Sequence, residues 1–136
     1  RALAAAKVKT ATIAPEAGSK RMRNIINKKI DEKDILGAVQ KLVSAGIMNL
    51  KLYFMIGLPF EQDKDILAIV DLTKKIKSVF LAASKKQKKI GTITLSVNPF
   101  IPKPFTPFQW TAMTDKTTLK KRIALIRQGL KKKWPM

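Results

Sequence analysis

The sequence predicts an α/β fold built from parallel βαβαβ units, closed by a C-terminal helix. Three β-type runs, in KTATIAPEAGS, LKLYFMIGLP and TITLSVNPFIPKP, are separated by stretches of helical apolar spacing. Crossovers of that length join parallel neighbours and are right-handed by the general rule. Each run breaks at its C-terminal end into Gly, Pro and small polar residues. Ligands of parallel sheets bind where strands end, so three such loops point to one shared site.

The first strand is expected near 9–14, followed by a turn over 15–18 and a short helix that Ser19 can cap. Asp31 is a candidate N-cap for the second helix, in which Ile35, Leu36, Val39, Leu42 and Val43 recur at helical spacing until Gly46 stops it. The run 50–56 is nearly all apolar, the pattern of a strand covered on both faces, and Gly57, Leu58 and Pro59 end it. A longer helix over 63–83 carries Ile66, Ile69, Val70, Thr73, Ile76 and Phe80 on one side, and the lysine-rich 84–89 reads as a solvated loop.

The third strand, near 91–98, alternates Ile93, Leu95 and Val97 with Thr92, Thr94, Ser96 and Asn98. One face therefore meets packed helices and the other something more polar, such as the lumen of a barrel. Beyond it Pro99, Pro102, Pro104 and Pro107 interleave with Phe100, Ile101, Phe105 and Phe108, a stiff segment that is neither helix nor central strand. Its aromatics either pack on the body of the protein or form an apolar wall for a flat ligand such as adenine. The last helix, near 115–130, aligns Leu119, Ile123, Ile126 and Leu130 in a stripe that docks onto the rest.

At 136 residues and 46% hydrophobic content the chain can bury one core. We divide it into a sheet-bearing part, 1–110, and a basic amphipathic helix within 111–136. No apolar run reaches membrane-spanning length, and the Ala-rich opening after Arg1 lacks the apolar block of a signal peptide. We expect a cytoplasmic protein without a membrane partner, in a chain that begins inside a longer one. Cysteine and histidine are both absent, which removes disulfides, thiolate nucleophiles, a Ser-His-Asp triad and the usual zinc ligands. Catalysis would need carboxylates, lysines, hydroxyls or an external cofactor.

The net charge of +19 makes nucleic acid a partner to consider. Yet 23 of the 28 basic residues are lysines scattered along the chain, with runs at Lys85, Lys86, Lys88 and Lys89 and at Lys131, Lys132 and Lys133. Scattered lysine reads as solvated surface before it reads as a phosphate groove. Asp31, Glu32 and Asp34, then Glu61, Asp63 and Asp65, then Asp115 stand at helix starts, where acids complement the helix macrodipole. Three parallel strands alone would leave apolar edges unpaired. The missing strands are expected before Arg1, on a partner, or in a second copy of the chain.

TIAPEAGSKRMRNIINKKID, NLKLYFMIGLPFEQDKDI and TLSVNPFIPKPFTPFQW, in order and spread over 9–110, resemble the C-terminal half of the core domain of a radical S-adenosylmethionine Fe-S oxidoreductase, of the kind often found with a B12-binding domain. The resemblance implies strands four to six of a partial (β/α)6 TIM-like barrel, with the three loops facing the cofactor. Glu16 and Ser19 match the polar motif after the fourth strand that contacts the ribose or methionine. A carboxylate suits two hydroxyl hydrogen bonds, and a serine at a helix N-terminus suits a carboxylate. Arg23 and Lys28 are implied partners of the methionyl carboxylate, although NKKID departs from the arginine of some relatives.

Gly57, with Ile56, Leu58 and Pro59, matches the fifth-strand segment that approaches adenine, where a glycine permits close contact. Asn98, Phe100, Ile101 and Pro102 match the sixth-strand segment flanking the same base. The resemblance further implies S-adenosylmethionine and a 4Fe-4S cluster in the intact parent, with cobalamin a candidate there. The family's C-x3-C-x2-C motif would fall before Arg1, so neither cofactor should be fully bound by this chain, which should be inactive alone. The expected partner is the rest of the parent barrel or another chain at the sheet edges. The alternatives are an RNA-binding module using the basic helices and aromatic loop, and a structural or oligomerising α/β fragment.

Overall fold

A computed structural model describes residues 2–132. Arg1 and the Lys133 of the last lysine run, with the end of the segment 111–136, lie outside the described residues. In chain order the elements are α1 (Ala2–Ala5), β1 (Thr10–Glu16), α2 (Lys20–Ile25), α3 (Glu32–Ser44), β2 (Asn49–Ile56), α4 (Asp63–Gln87), β3 (Thr92–Pro99) and α5 (Lys116–Lys131). The strands form one sheet in the order β1-β2-β3, and both pairings are parallel. This is the alternating α/β architecture, with its C-terminal helix, that the sequence predicts.

Caps place the helices where the sequence puts them. The Ser19 hydroxyl accepts from the Met22 amide at 3.1 Å to start α2. Asp31 caps α3, and the Asp34 side chain accepts from the Asp31 amide at 2.9 Å. The Asp115 carboxylate accepts from the Thr118 amide at 2.9 Å to start α5. Gly46, at φ +90°, takes the left-handed turn that releases the chain from α3 toward β2.

The core lies on one face of the sheet. Leu50, Leu52, Phe54 and Ile56 of β2 are buried with Ile35, Val39 and Val43 of α3 and with Ile66, Ile69, Val70, Leu72, Ile76 and Phe80 of α4. Ile93, Leu95 and Val97 of β3 pack against the same cluster, as does the stripe of α5, whose Ile126 is buried. On the other face Lys51 is exposed between Thr12 and Thr94, its register partners, which are exposed as well. The expectation that β2 is covered on both faces is therefore corrected: among the described residues only its even-numbered side chains are fully buried. The apolar composition of 50–56 misled because Tyr53 and Met55, though apolar in type, share the open face with Lys51.

Two boundaries also differ. The stretch 84–89 is not a loop from its start, because α4 continues to Gln87 with Ala83 and Ser84 buried. Lysine is a good helix former, and Lys85 and Lys86 in the last turn complement the carbonyl end of the helix. Only at Lys88, left-handed at φ 51°, does the helix stop. The first strand runs past the expected turn to Glu16, with a register shift between Ile13 and Glu16. Pro15 falls inside that register shift, where the missing donor costs no ladder bond to β2.

Candidate functional site

All three strands are parallel, so their exit loops emerge at one edge of the sheet, and a network of side chains joins them there. The segment after β3 stays beside β2: the Phe100 amide donates to the Ile56 carbonyl at 2.8 Å. Ala17, Met22 and Leu58 form a small second core at this edge, with Met55 and Phe100 packed against it. Phe100 also meets Phe108 edge-on, their centroids 6.1 Å apart, which anchors the proline-rich segment to itself. Gly18 sits where a Cβ would lie 2.2 Å from the Ile69 amide nitrogen, so only a glycine lets the β1 loop lie against α4.

Asp65, in the first turn of α4, is the hub between the β1 and β2 loops. It is 3% exposed and accepts from the Ser19 hydroxyl at 2.7 Å, from the Gln62 amide at 2.9 Å, and from the Arg21 guanidinium in a close ion pair. Burial disfavours its charge, but the bonds from Arg21, Ser19 and Gln62 outweigh that and hold its carboxyl below the ordinary carboxylate value. Arg21 also donates to the Phe60 carbonyl at 2.9 Å.

Glu61 ties the β2 loop to α5. Its carboxylate accepts from the Gly57 amide at 2.7 Å and from Arg122 Nη1 at 2.6 Å, and Arg122 Nη2 donates to the Glu61 carbonyl at 3.1 Å. Both side chains are withdrawn from solvent, at 2% exposure for Glu61 and 11% for Arg122. Burial pushes the Glu61 carboxyl up, against the pull of the Gly57 amide and of Arg122. Gly57 itself has φ +81°, and its carbonyl accepts from the Thr114 hydroxyl at 3.1 Å. A Cβ there would lie 3.0 Å from Leu119 and 3.1 Å from Thr114.

The residues singled out from sequence fall into two groups. Ser19, Arg23 and Gly57 have their polar groups committed within the chain. The buried Arg23 donates to the carbonyls of Ala17, Gly18 and Ile30 at 3.2, 2.9 and 3.2 Å, and desolvation lowers its pKa. Ile56, Leu58 and Pro59 are buried beside them. Glu16 and Lys28 form a half-exposed pair 3.6 Å apart, with oxygen and nitrogen valences open to solvent. Glu16 holds a left-handed backbone at φ 65° at the register shift, which turns the loop out of the sheet. Asn98, hydrogen-bonded to Ser96 at 3.2 Å, and Phe100 and Pro102 are half-buried, while Ile101 is exposed.

Reading the sequence missed Glu61, Asp65, Arg21, Phe60 and Arg122. The two acids stand at the start of α4 as the sequence predicts, and they are also buried and paired across 44 and 61 residues. Their spacing on either side of the Gln62 N-cap, directly after a strand-end glycine, is the local signal that was present.

The donor set excludes an iron-sulfur cluster held by this chain, because it has no cysteine. Nor do the described residues contain three His, Cys, Asp or Glu side chains grouped to hold a metal ion. Glu16 and Lys28 remain partly open to solvent, and Asn98 and Phe100 are half-buried while Ile101 is exposed.

Such a molecule is a parallel α/β protein with its candidate ligand groups at the strand exits. A family model described as the Radical SAM superfamily matches residues 1–73, and the chain belongs to that superfamily. An uncharacterized protein of Methanocaldococcus jannaschii is 44% identical over 126 residues, covering 93% of this chain and 26% of that protein. The chain thus spans about a quarter of the length of the curated relative it matches. No solved structure matches it. Intact members of the superfamily use S-adenosylmethionine and a 4Fe-4S cluster, and the sheet is the arrangement expected of part of their α/β barrel. No described helix is long and apolar enough to cross a membrane.

Proposed function

We propose that this chain is the C-terminal half of a radical S-adenosylmethionine core domain. In that reading it supplies the adenosyl and methionyl wall of the cofactor pocket, and the cluster-bearing wall comes from residues outside it. The observation that carries the proposal is the convergence of three strand-exit loops at one edge of a parallel sheet in a member of that superfamily. When bound in the complete domain, S-adenosylmethionine supplies the radical chemistry.

This chain's residues orient the cofactor and keep water from it. Glu16 accepts from ribose hydroxyls, and Lys28 beside it faces the methionyl carboxylate. Asn98, Phe100, Ile101 and Pro102 flank the adenine. On the other side of the base the resemblance puts Ile56, Gly57, Leu58 and Pro59; the buried Ile56, Leu58 and Pro59 would act by fixing the turn, and Gly57 through its shape, because both its backbone polar groups are taken. Ser19 and Arg23 support the β1 loop from within.

Calorimetry of the isolated chain with S-adenosylmethionine tests this. The cluster that chelates the amino and carboxyl groups lies elsewhere, so binding should be absent or weaker than about 1 mM. Micromolar affinity would contradict the proposal, and so would a complete reading frame lacking C-x3-C-x2-C upstream of Arg1. The finer form of the proposal makes the parent an Fe-S oxidoreductase of the kind often found with a B12-binding domain, and the visible spectrum of the purified parent tests both the cluster and cobalamin as a candidate there. The exposed lysines are spread over α3, α4, α5 and the open sheet face, a dispersal that does not favour the RNA-binding alternative.

A further inference from the structure

The loop leaving β2 is gripped by two arginines from different helices. Arg21 of α2 donates to the Phe60 carbonyl, and Arg122 of α5 donates to the next carbonyl along the chain, that of Glu61. Each arginine also holds an acid that reaches back to a backbone amide at an end of the same turn. Glu61 accepts from Gly57 at 2.7 Å, and Asp65 accepts from Gln62 at 2.9 Å. Between these points the chain takes two left-handed residues, Gly57 at φ +81° and Phe60 at φ 63°.

The second of these requires an explanation. A bulky aromatic is disfavoured in the left-handed region, and such strain persists only where the surroundings over-determine it. Phe60 is 74% exposed, so packing of its side chain does not supply the compensation. Part of it comes from the turn itself, with Pro59 before Phe60 and the Glu61 amide donating to the Leu58 carbonyl at 3.2 Å, and to this the bond from Arg21 to the residue's own carbonyl and the Arg122–Glu61 pair one residue on are added. The docking of α5 has an apolar contact of its own, since Leu119, Ile123, Ile126 and Leu130 pack on the core.

We propose that Arg21 and Arg122 are positioning residues that together fix the loop 57–61 in one conformation. The helix α5, which lies beyond the family match to residues 1–73, is thereby part of the candidate cofactor site. The functional half of this inference rests on the proposal that the loop faces the cofactor; the clamp itself does not. The charged groups facing Glu61 are Arg122 from α5 and Asp65 from α4, and burial raises the Glu61 carboxyl.

Amide exchange and chemical shifts of the 15N-labelled chain provide the test. In Arg122→Met, Gly57 exchange should accelerate by about tenfold or more while Leu52 and Phe54 of β2 are unchanged. The pH midpoint seen at the Gly57 amide should move further up, because the cation stabilising the ionised Glu61 is gone. Arg122→Lys should restore part of both effects. Arg21→Met should accelerate exchange at the Glu61 amide, which donates to Leu58 across the turn.

Should Arg122→Met not fold, Glu61→Gln with Arg122→Met removes the buried charge and is read by Gly57 exchange alone, since the side-chain amide at 61 does not titrate. Unchanged Gly57 exchange in a folded variant overturns the clamp, as does acceleration spread evenly through β2. In the full-length parent, Arg122→Lys should raise the KM for S-adenosylmethionine several-fold. An unchanged KM alongside accelerated loop exchange would overturn the cofactor role of the loop and leave the clamp standing.

Discussion

At the scale of single residues, the strand-exit edge is held by buried charges paired within the chain. Arg23 is the clearest case: it is 2% exposed and serves three carbonyl oxygens of the β1 loop and the turn before α3. Replacing it by leucine leaves those acceptors without donors in a site closed to water. Arg23→Leu should cost roughly 3 kcal/mol or more in urea unfolding, and Arg23→Lys should recover only a part, since one ammonium cannot span the same three directions. A cost below about 1 kcal/mol would mean that water or other groups replace it.

Asp65 and Glu61 carry opposite pH signatures. The folded-state carboxyl of Asp65 is depressed, so its contribution is present above the unfolded value and is lost as pH falls through the folded one. Glu61 is raised, so its contribution is present below the unfolded value and is lost as pH rises through the folded one. Asp65→Asn should therefore flatten the acid limb of stability below about pH 4, and Glu61→Gln should flatten the decline just above that pH. Urea titrations across this range would reveal parallel curves for wild type and variants if neither carboxyl were coupled to folding.

At the scale of elements, the strands and helices were legible wherever one chain segment sufficed to specify them. The alternation over Thr92–Pro99, the spacing of Ile35, Val39 and Val43, and the caps Ser19, Asp31 and Asp115 each depend on neighbours within a turn or two. The end of α4 lies beyond the expected one because lysines mark a solvated loop and a solvated helix alike, and only burial of Ala83 and Ser84 separates them. What 50–56 could not disclose was which of its faces the helices would cover. The clamp on 57–61 was hidden for a related reason: its partners come from α2 and α5, separated from it by tens of residues.

Glycines test the packing of these elements in opposite directions. Gly18→Ala places a Cβ 2.2 Å from the Ile69 amide nitrogen and 2.6 Å from the Ala68 carbonyl carbon, backbone atoms of α4 that cannot move aside alone. It should destabilise by about 2 kcal/mol or more and loosen the β1 loop from α4. Gly37, inside α3, has nothing within 4 Å of the same position. Gly37→Ala should stabilise by up to about 1 kcal/mol through helix propensity alone. Thermal unfolding of the pair separates loop packing from helix content, and equal effects at the two sites would contradict the close approach of loop and helix.

At the scale of the whole molecule, the three described strands leave both edges of the sheet open. Among the described residues β1 and β3 each pair on one side only, and Lys51, Thr12 and Thr94 stand on an uncovered face. Unpaired edges of parallel strands invite pairing with another chain, and a net charge of +19 opposes it. These forces respond differently to salt: edge pairing is short-ranged, whereas repulsion between two cationic copies is screened over a Debye length that shrinks from about 20 Å at 0.02 M to about 4 Å at 0.5 M. The isolated chain should thus be largely monomeric at low ionic strength and should self-associate as salt is raised, with sedimentation becoming concentration-dependent. RNA binding would run the other way, since counterion release weakens it steeply over the same range. A chain that stays monomeric at high salt, with its edge amides protected from exchange, would show that the edges are stable alone. In that case the expectation of a partner strand, from the parent barrel or from a second copy, would lose its physical basis.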